Sequence, residues 1–271
     1  MDKKKELGAY KKLSPEEVQG MLHLRKRGFT AKNKKAYNRR RTYFTNAELD
    51  SVMNYPFRTA IMNFMRGFDS GRAFQDTVMS IVENYPPQVV ACNMNLLGTH
   101  DTARILTALV DDFDGSREEK AKRHLSRNQL EVAHERLLMA SFLQYTLPGS
   151  PSIYYGDEAG MEGYWDPFCR KPYPWGREDQ ELLAHYRLLG QMRLAHPALD
   201  GGTFRVLEVG DRYLAYERER DGDRLVIVAN RGEEIVFHQP GRWVDLLTGK
   251  KYGVDIPVPS DTVLILNRKD R

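Results

Sequence analysis

Three times between residues 49 and 197, a short apolar run is followed by a polar loop and then by a longer stretch with apolar residues at helical spacing. Strand, loop and helix in alternation is the pattern of parallel β-α units, because a parallel strand needs a long crossover to return to its sheet. The spacing predicts strands over Leu49–Tyr55, Val89–Leu97 and Ser152–Tyr155. Helices are predicted over Phe57–Phe68, Ala73–Glu83, about Gln129–Leu147, where Pro148-Gly149 is a breaker, and Gln180–His196, which Pro197 closes. Asp111–Arg117 reads as loop.

The pattern changes near residue 202. Phe204–Val209, Arg212–Tyr216, Arg224–Asn230, Glu234–Phe237, Trp243–Leu247 and Thr262–Leu266 are short strand signals, several separated by Gly-Asp and Asp-Gly turns. They predict a small antiparallel all-β domain over 201–271, its tryptophan in the core. The β-α units, which would make part of a barrel if more of them precede these, span 45–200, and a basic lead-in spans 1–44. In the lead-in, Ser14-Pro15-Glu16-Glu17 is a fair helix start, with Ser14 as cap.

The formal net charge of +4 is concentrated in that lead-in (Lys3-Lys4-Lys5, Arg25-Lys26-Arg27, Arg39-Arg40-Arg41). Such a run can attract nucleic acid, but no nucleic-acid motif accompanies it. It is read as a solvated segment, and no nucleic-acid partner is expected. No run of eighteen apolar residues exists, so no membrane span is expected. The charged N-terminus has no apolar signal region, which points to a cytoplasmic location. Cys92 and Cys169 make no disulfide framework, and the histidines show no metal-ligand spacing. No cofactor and no metal are expected.

The chemistry-bearing residues collect after the strand signals. The second runs through Gly98 into the adjacent His100-Asp101, and in barrel enzymes the C-terminal tips of strands carry the chemistry. Arg104 either contacts a ligand or caps the following helix. After the third strand come Asp157-Glu158 and a loop, Asp166-Pro167-Phe168-Cys169-Arg170, flanked by Trp165 and Trp175.

Asn95-Leu-Leu-Gly-Thr-His-Asp-Thr-Ala-Arg104, with Leu147-Pro-Gly-Ser-Pro-Ser-Ile-Tyr-Tyr-Gly-Asp-Glu-Ala-Gly160 some fifty residues on, closely resembles the alpha-amylase family of glycoside hydrolases. The likeness is to its cyclomaltodextrinase, neopullulanase and maltogenic amylase branch, over residues 32 to 267 or thereabouts. It implies the fold: an α/β chain holding about strands six to eight of a TIM (β/α)8 barrel, followed by a small antiparallel β-sandwich. It also implies the substrate, an α-glucan such as maltodextrin, cyclodextrin or pullulan, cut at α-1,4 bonds with retention.

That reaction uses an Asp nucleophile and a Glu acid/base about 5–5.5 Å apart, with a further Asp gripping the sugar at the reacting ring. Only the last has a match, Asp101, expected as the transition-state stabiliser. His100, Arg104, Asp166 and Arg170 are the expected substrate-binding residues. The family's Gly-x-Arg-x-Asp nucleophile pattern does not occur, and Arg25–Lys32, where the acid would lie, holds no Glu. Asp157-Glu158 is read as shaping its loop rather than as a catalytic pair. The resemblance therefore implies a C-terminal part of such an enzyme, truncated or frame-shifted, and inactive alone. A glucan-binding module, a homodimer, or a subunit that needs a complementing N-terminal half are the alternatives.

Overall fold

A computed structural model describes residues 51–268. The basic lead-in, the Ser14 helix start and the first residues of the Leu49 strand lie outside the described residues. Helix α1 (Tyr55–Arg66) begins where Asn54 accepts a hydrogen bond from the Phe57 N–H, and Pro56 occupies its first turn. Its buried face is Phe57, Ala60, Ile61, Phe64 and Met65, the spacing of one helical stripe. Helix α2 (Gly71–Val82) is capped by Ser70 and buries Phe74, Val78 and Ile81. A β-carbon at Gly71 would lie 2.5 Å from the Gly210 carbonyl oxygen, so only glycine lets α2 approach the later β-sheet this closely.

The expected strands are shorter than their apolar runs. Of Leu49–Tyr55, the described part makes one parallel bridge, Met53 to Met94, because Asn54 already caps α1. In the Val89–Leu97 run, residues Pro87–Cys92 form helix α3, and only β1 (Met94–Leu96) is strand. Pro86 and Pro87 account for this: Pro87 presets the first helical turn, and the Pro86 carbonyl accepts from the Val89 and Val90 N–H groups at 2.9 and 3.0 Å. Two short helices follow, α4 (Ile105–Ala108) and α5 (Arg117–Lys122). The latter is absent from the sequence expectation although Ser116 and Glu119 form a full capping box.

The long helix α6 (Arg127–Thr146) starts two residues earlier than expected, at a Ser126–Gln129 capping box. Strand β2 (Ser150–Ser152) lies parallel to β1, with Met94 opposite Ser150. It precedes the expected Ser152–Tyr155, because β1 is only three residues long and Tyr154 already turns the chain through an Asp157 N–H to Tyr154 carbonyl bond. Helix α7 (Gln180–Ala195) is capped by Asp179, and a 3₁₀ turn (Pro197–Leu199) closes this part. Helices α1 and α6 pack on β1, and α6 packs on α7. Gln144 of α6 donates to the Asn95 and Ser152 carbonyls at 3.0 and 2.9 Å, fastening the helix across both strands.

The remaining strands are β3 (Thr203–Val209), β4 (Tyr213–Arg220), β5 (Asp223–Asn230), β6 (Ile235–His238), β7 (Trp243–Asp245), β8 (Lys251–Tyr252), β9 (Asp255–Val258) and β10 (Thr262–Arg268). Six form one sheet in the order β3-β4-β5-β10-β7-β8, and β6 pairs with β9. Strands β8 and β9 carry little apolar alternation, and Pro257 in β9 reads against a strand. Alternate residues divide the six-stranded sheet between two cores. Tyr216, Ile227, Ala229 and Ile265 join the helical core, whereas Ala215, Val226, Val228 and Leu266 pack with Phe237, Ile256, Val258 and Trp243. Trp243 is therefore core, as its sequence context predicts. Fully buried Arg218 of β4 ties sheet to helices, donating to the carbonyls of Thr146 (2.7 Å), Thr203 (3.0 Å) and Gly202 (3.1 Å).

Candidate functional site

The chain leaves β1 through buried Leu97, whose carbonyl accepts from Arg58 Nε of α1. Gly98 then passes against the carboxylate of Asp157, close enough that a β-carbon would lie 2.7 Å from Asp157 Cγ. Thr99 folds the next residues into a tight turn. Its hydroxyl accepts from the Asp101 N–H at 3.1 Å and meets the Thr102 hydroxyl at 3.1 Å. Both threonines are buried, so the turn is anchored from below, and it presents His100 and Asp101 outward. Their side chains are 54% and 42% exposed, with His100 Nε2 3.2 Å from Asp101 Oδ1. A pair this exposed adds little to stability. Its physical role is to hold an acceptor and a ring nitrogen side by side, facing solvent.

The loop after β2 reaches the same turn. Cys169 Sγ and Arg170 Nε both point at the His100 carbonyl oxygen, at 3.4 and 3.1 Å. Arg170 Nε also lies 2.7 Å from Asp166 Oδ1, so one guanidinium joins the two loops. The structure thus brings His100, Asp101, Asp166 and Arg170 into one cluster. Beside it, Trp165, Asp166, Pro167 and Phe168 line an open cleft of about 320 Å³ with Arg117 and Lys120 of α5. Those two basic residues escaped sequence reasoning along with α5 itself. The Ser116–Glu119 capping pair was the available signal. Trp165 and Trp175 are both exposed, Trp175 at 81% with Tyr173 packed 4.6 Å from its ring centre, which excludes burial under the loop.

Arg104 departs from its expected place. It stands at the N-cap of α4 without a side-chain cap, and its guanidinium is buried beneath the rings of Tyr154 and Tyr155, 4.4 and 4.6 Å away. It donates to the Tyr155 carbonyl and lies 3.4 Å from Asp157 Oδ1. With no exposed surface it cannot touch a ligand in the cleft, and instead it clamps the loop after β2 to the loop after β1. Its backbone N–H donates to the Gly163 carbonyl at 2.9 Å, which adds a second tie between the same loops.

Burial pushes the Asp157 carboxyl up to about 7, against the pull of Arg104. Glu158 accepts from the Gly156 N–H at 2.8 Å and so shapes the turn, in line with the reading of this pair as structural. Asn54 is likewise buried, capping α1 and donating to Asn95 Oδ1 at 3.0 Å. Among the described residues, no three His, Cys, Asp or Glu side chains converge as metal ligands would, and no helix is long and apolar enough to cross a membrane.

Residues 29–186 match the family model described as alpha amylase, catalytic domain. This chain belongs to the alpha-amylase family. The clustered turn and loop, from His100 to Arg170, lie inside that match, whereas the β-sheet from β3 onward lies beyond it. An amylopullulanase of Thermoanaerobacter thermohydrosulfuricus is 35% identical over 236 residues, covering 76% of this chain and 16% of that protein. A cyclomaltodextrinase of a Bacillus species is 36% identical over 188 residues, covering 68% of this chain and 30% of the relative. Among solved structures, the type III pullulan hydrolase from Thermococcus kodakarensis aligns with a TM-score of 0.71 at 27% identity, over 84% of this chain and 38% of that one. The chain spans less than a third of either relative it matches here.

Proposed function

We propose that this alpha-amylase-family chain serves an α-glucan hydrolase acting on α-1,4-glucosidic bonds of maltodextrins, cyclodextrins or pullulan, and that it supplies the sugar-gripping part of the site. The observation that carries the reading is the exposed His100–Asp101 pair at the tip of β1, held by Arg170 of the second loop. In this reading Asp101 accepts hydrogen bonds from hydroxyls of the reacting ring and favours its distortion toward the oxocarbenium-like transition state. His100 donates to the same sugar. Asp166 and Arg170 hold the neighbouring glucose, and Arg104 positions both loops from beneath.

The parent reaction would proceed with retention, through a glycosyl intermediate on an Asp nucleophile. The sequence offers neither the nucleophile pattern nor the Glu acid. Without them no covalent intermediate forms, and hydrolysis by this chain alone is negligible. The pure chain incubated with maltotriose or β-cyclodextrin tests this, and clear turnover would refute it. Titration calorimetry with maltoheptaose tests the gripping role separately: heat that disappears in His100→Ala supports it, and no heat with the unsubstituted chain removes it.

A second reading is a subunit that works with a complementing N-terminal half. It is favoured by β2, which among the described residues has a strand neighbour on one side only, and by exposed Met94, Ile153 and Tyr155 beside it. An open edge with apolar neighbours is a template for pairing. Size-exclusion of the chain alone is the measurement, and a stable, soluble monomer counts against this reading.

A further inference from the structure

A second polar cavity lies where the β-sheet docks on α1 and α6, and it shares no residue with the His100 turn. It measures about 140 Å³, and its lining includes Arg66, Arg136, Arg231 and Asp261. Arg66 is already neutralised by a two-pronged pairing with Asp112 and is held by the Ala108 carbonyl. The other two arginines are not. Arg136 Nη1 donates to the Leu109 carbonyl at 2.7 Å, and Arg231 Nη2 donates to the Asp69 and Asp211 carbonyls at 3.0 and 3.3 Å. Among the described residues, neither has a carboxylate within 4.0 Å. The Arg231 Nε–H is buried with no hydrogen-bond partner. Its guanidinium lies over Phe64, 4.9 Å from the ring centre, which fixes its plane.

We propose that this interdomain cavity is a binding site for a tetrahedral oxyanion of the phosphate class, held by Arg136 and Arg231. Two half-buried guanidiniums, each anchored through one corner to backbone carbonyls, leave the Nη donors of their other corners for a ligand. That planar donor set matches phosphate oxygens. Burial and like charge make both cations costly to keep without a counter-ion. Burial lowers the Arg136 pKa, with Arg66 adding to it, and burial lowers that of Arg231, with Arg212 and Arg136 adding. A bound anion offsets the burial and the like charge together. The volume falls below the ~300 Å³ at which pockets begin to take whole organic ligands. It admits one anionic head group, with any sugar attached to it left at the mouth. Asp261, exposed and with φ of 47°, is the carboxylate on the rim, and it partly offsets the arginines. A bound oxyanion competes with it.

The test uses the full chain at constant ionic strength, titrated with inorganic phosphate while the thermal midpoint and the phosphorus line width are followed. A saturable response is expected. Arg136→Gln with Arg231→Gln weakens it at least about tenfold, and Asp261→Asn tightens it by about threefold. Glucose 6-phosphate binding more tightly than phosphate identifies a phosphorylated sugar as the ligand; equal binding identifies the inorganic ion. The site is refuted if the response does not saturate, if chloride or glucose matches it, or if the double substitution leaves it intact. Should the double variant not fold, an unchanged affinity in Asp261→Asn alone has the same force.

Discussion

Gly98 and Asp157 compete for one volume: a β-carbon at position 98 would sit 2.7 Å from Asp157 Cγ and closer still to Oδ2. The turn that presents His100 and Asp101 therefore depends on a missing methyl group. Gly98→Ala must push the carboxyl away from Arg104 or shift the β1 tip. We expect a loss of about 2 kcal/mol or more, read by urea unfolding, together with weaker maltoheptaose binding. A fully stable alanine variant would contradict the packing described.

The Asp157 carboxyl sets a pH dependence. It is harder to ionise in the fold than in the unfolded chain, so the folded state keeps a proton that the unfolded state releases. Its contribution to stability is complete below about pH 4, declines as pH climbs toward 7, and is absent above that. Asp157→Asn removes the decline. The difference between the two proteins' unfolding free energies should change by on the order of 4 kcal/mol between pH 4 and pH 8. A constant difference would show that the carboxyl titrates normally.

Arg218 holds three carbonyls between the β-sheet and the C-terminal end of α6. Arg218→Met leaves them without their donor in a buried place, at a cost of about 2–4 kcal/mol. Arg205→Met serves as the control. That side chain is largely exposed and pairs with Glu217, so its loss costs under about 1 kcal/mol. Thermal unfolding of both variants gives the comparison, and equal shifts would deny Arg218 its interdomain role.

Trp175 is the most exposed aromatic ring of the loop that follows β2. Trp175→Ala should change stability by less than about 0.5 kcal/mol. If its face takes a sugar, maltoheptaose affinity falls by roughly threefold to tenfold. Calorimetry distinguishes this from a bystander ring, for which affinity stays the same.

Much of this protein is written in local signals. Ser126 with Gln129, Ser70, Asp179 and Asn54 cap their helices through neighbours three residues away or fewer, and apolar spacing gives the helices their buried faces. The His100-Asp101 turn, the later loop with Asp166 and Arg170, and the core role of Trp243 were legible in the same way, because each is carried by a contiguous motif or a short-period alternation. Other features belong to contacts between distant segments. Strand β1 is three residues long because Pro86 and Pro87 start a helix inside an apolar run, and β2 can extend only as far as β1 pairs with it. Strand β9 exists because β6 lies opposite it. Arg104 reads in sequence as a ligand contact or a helix cap, yet it is buried, because Tyr154, Tyr155 and Asp157 close over it from fifty residues away. Where a charge sits, on the surface or sealed beneath rings, is set by which segments pack together, and only the folded chain decides that.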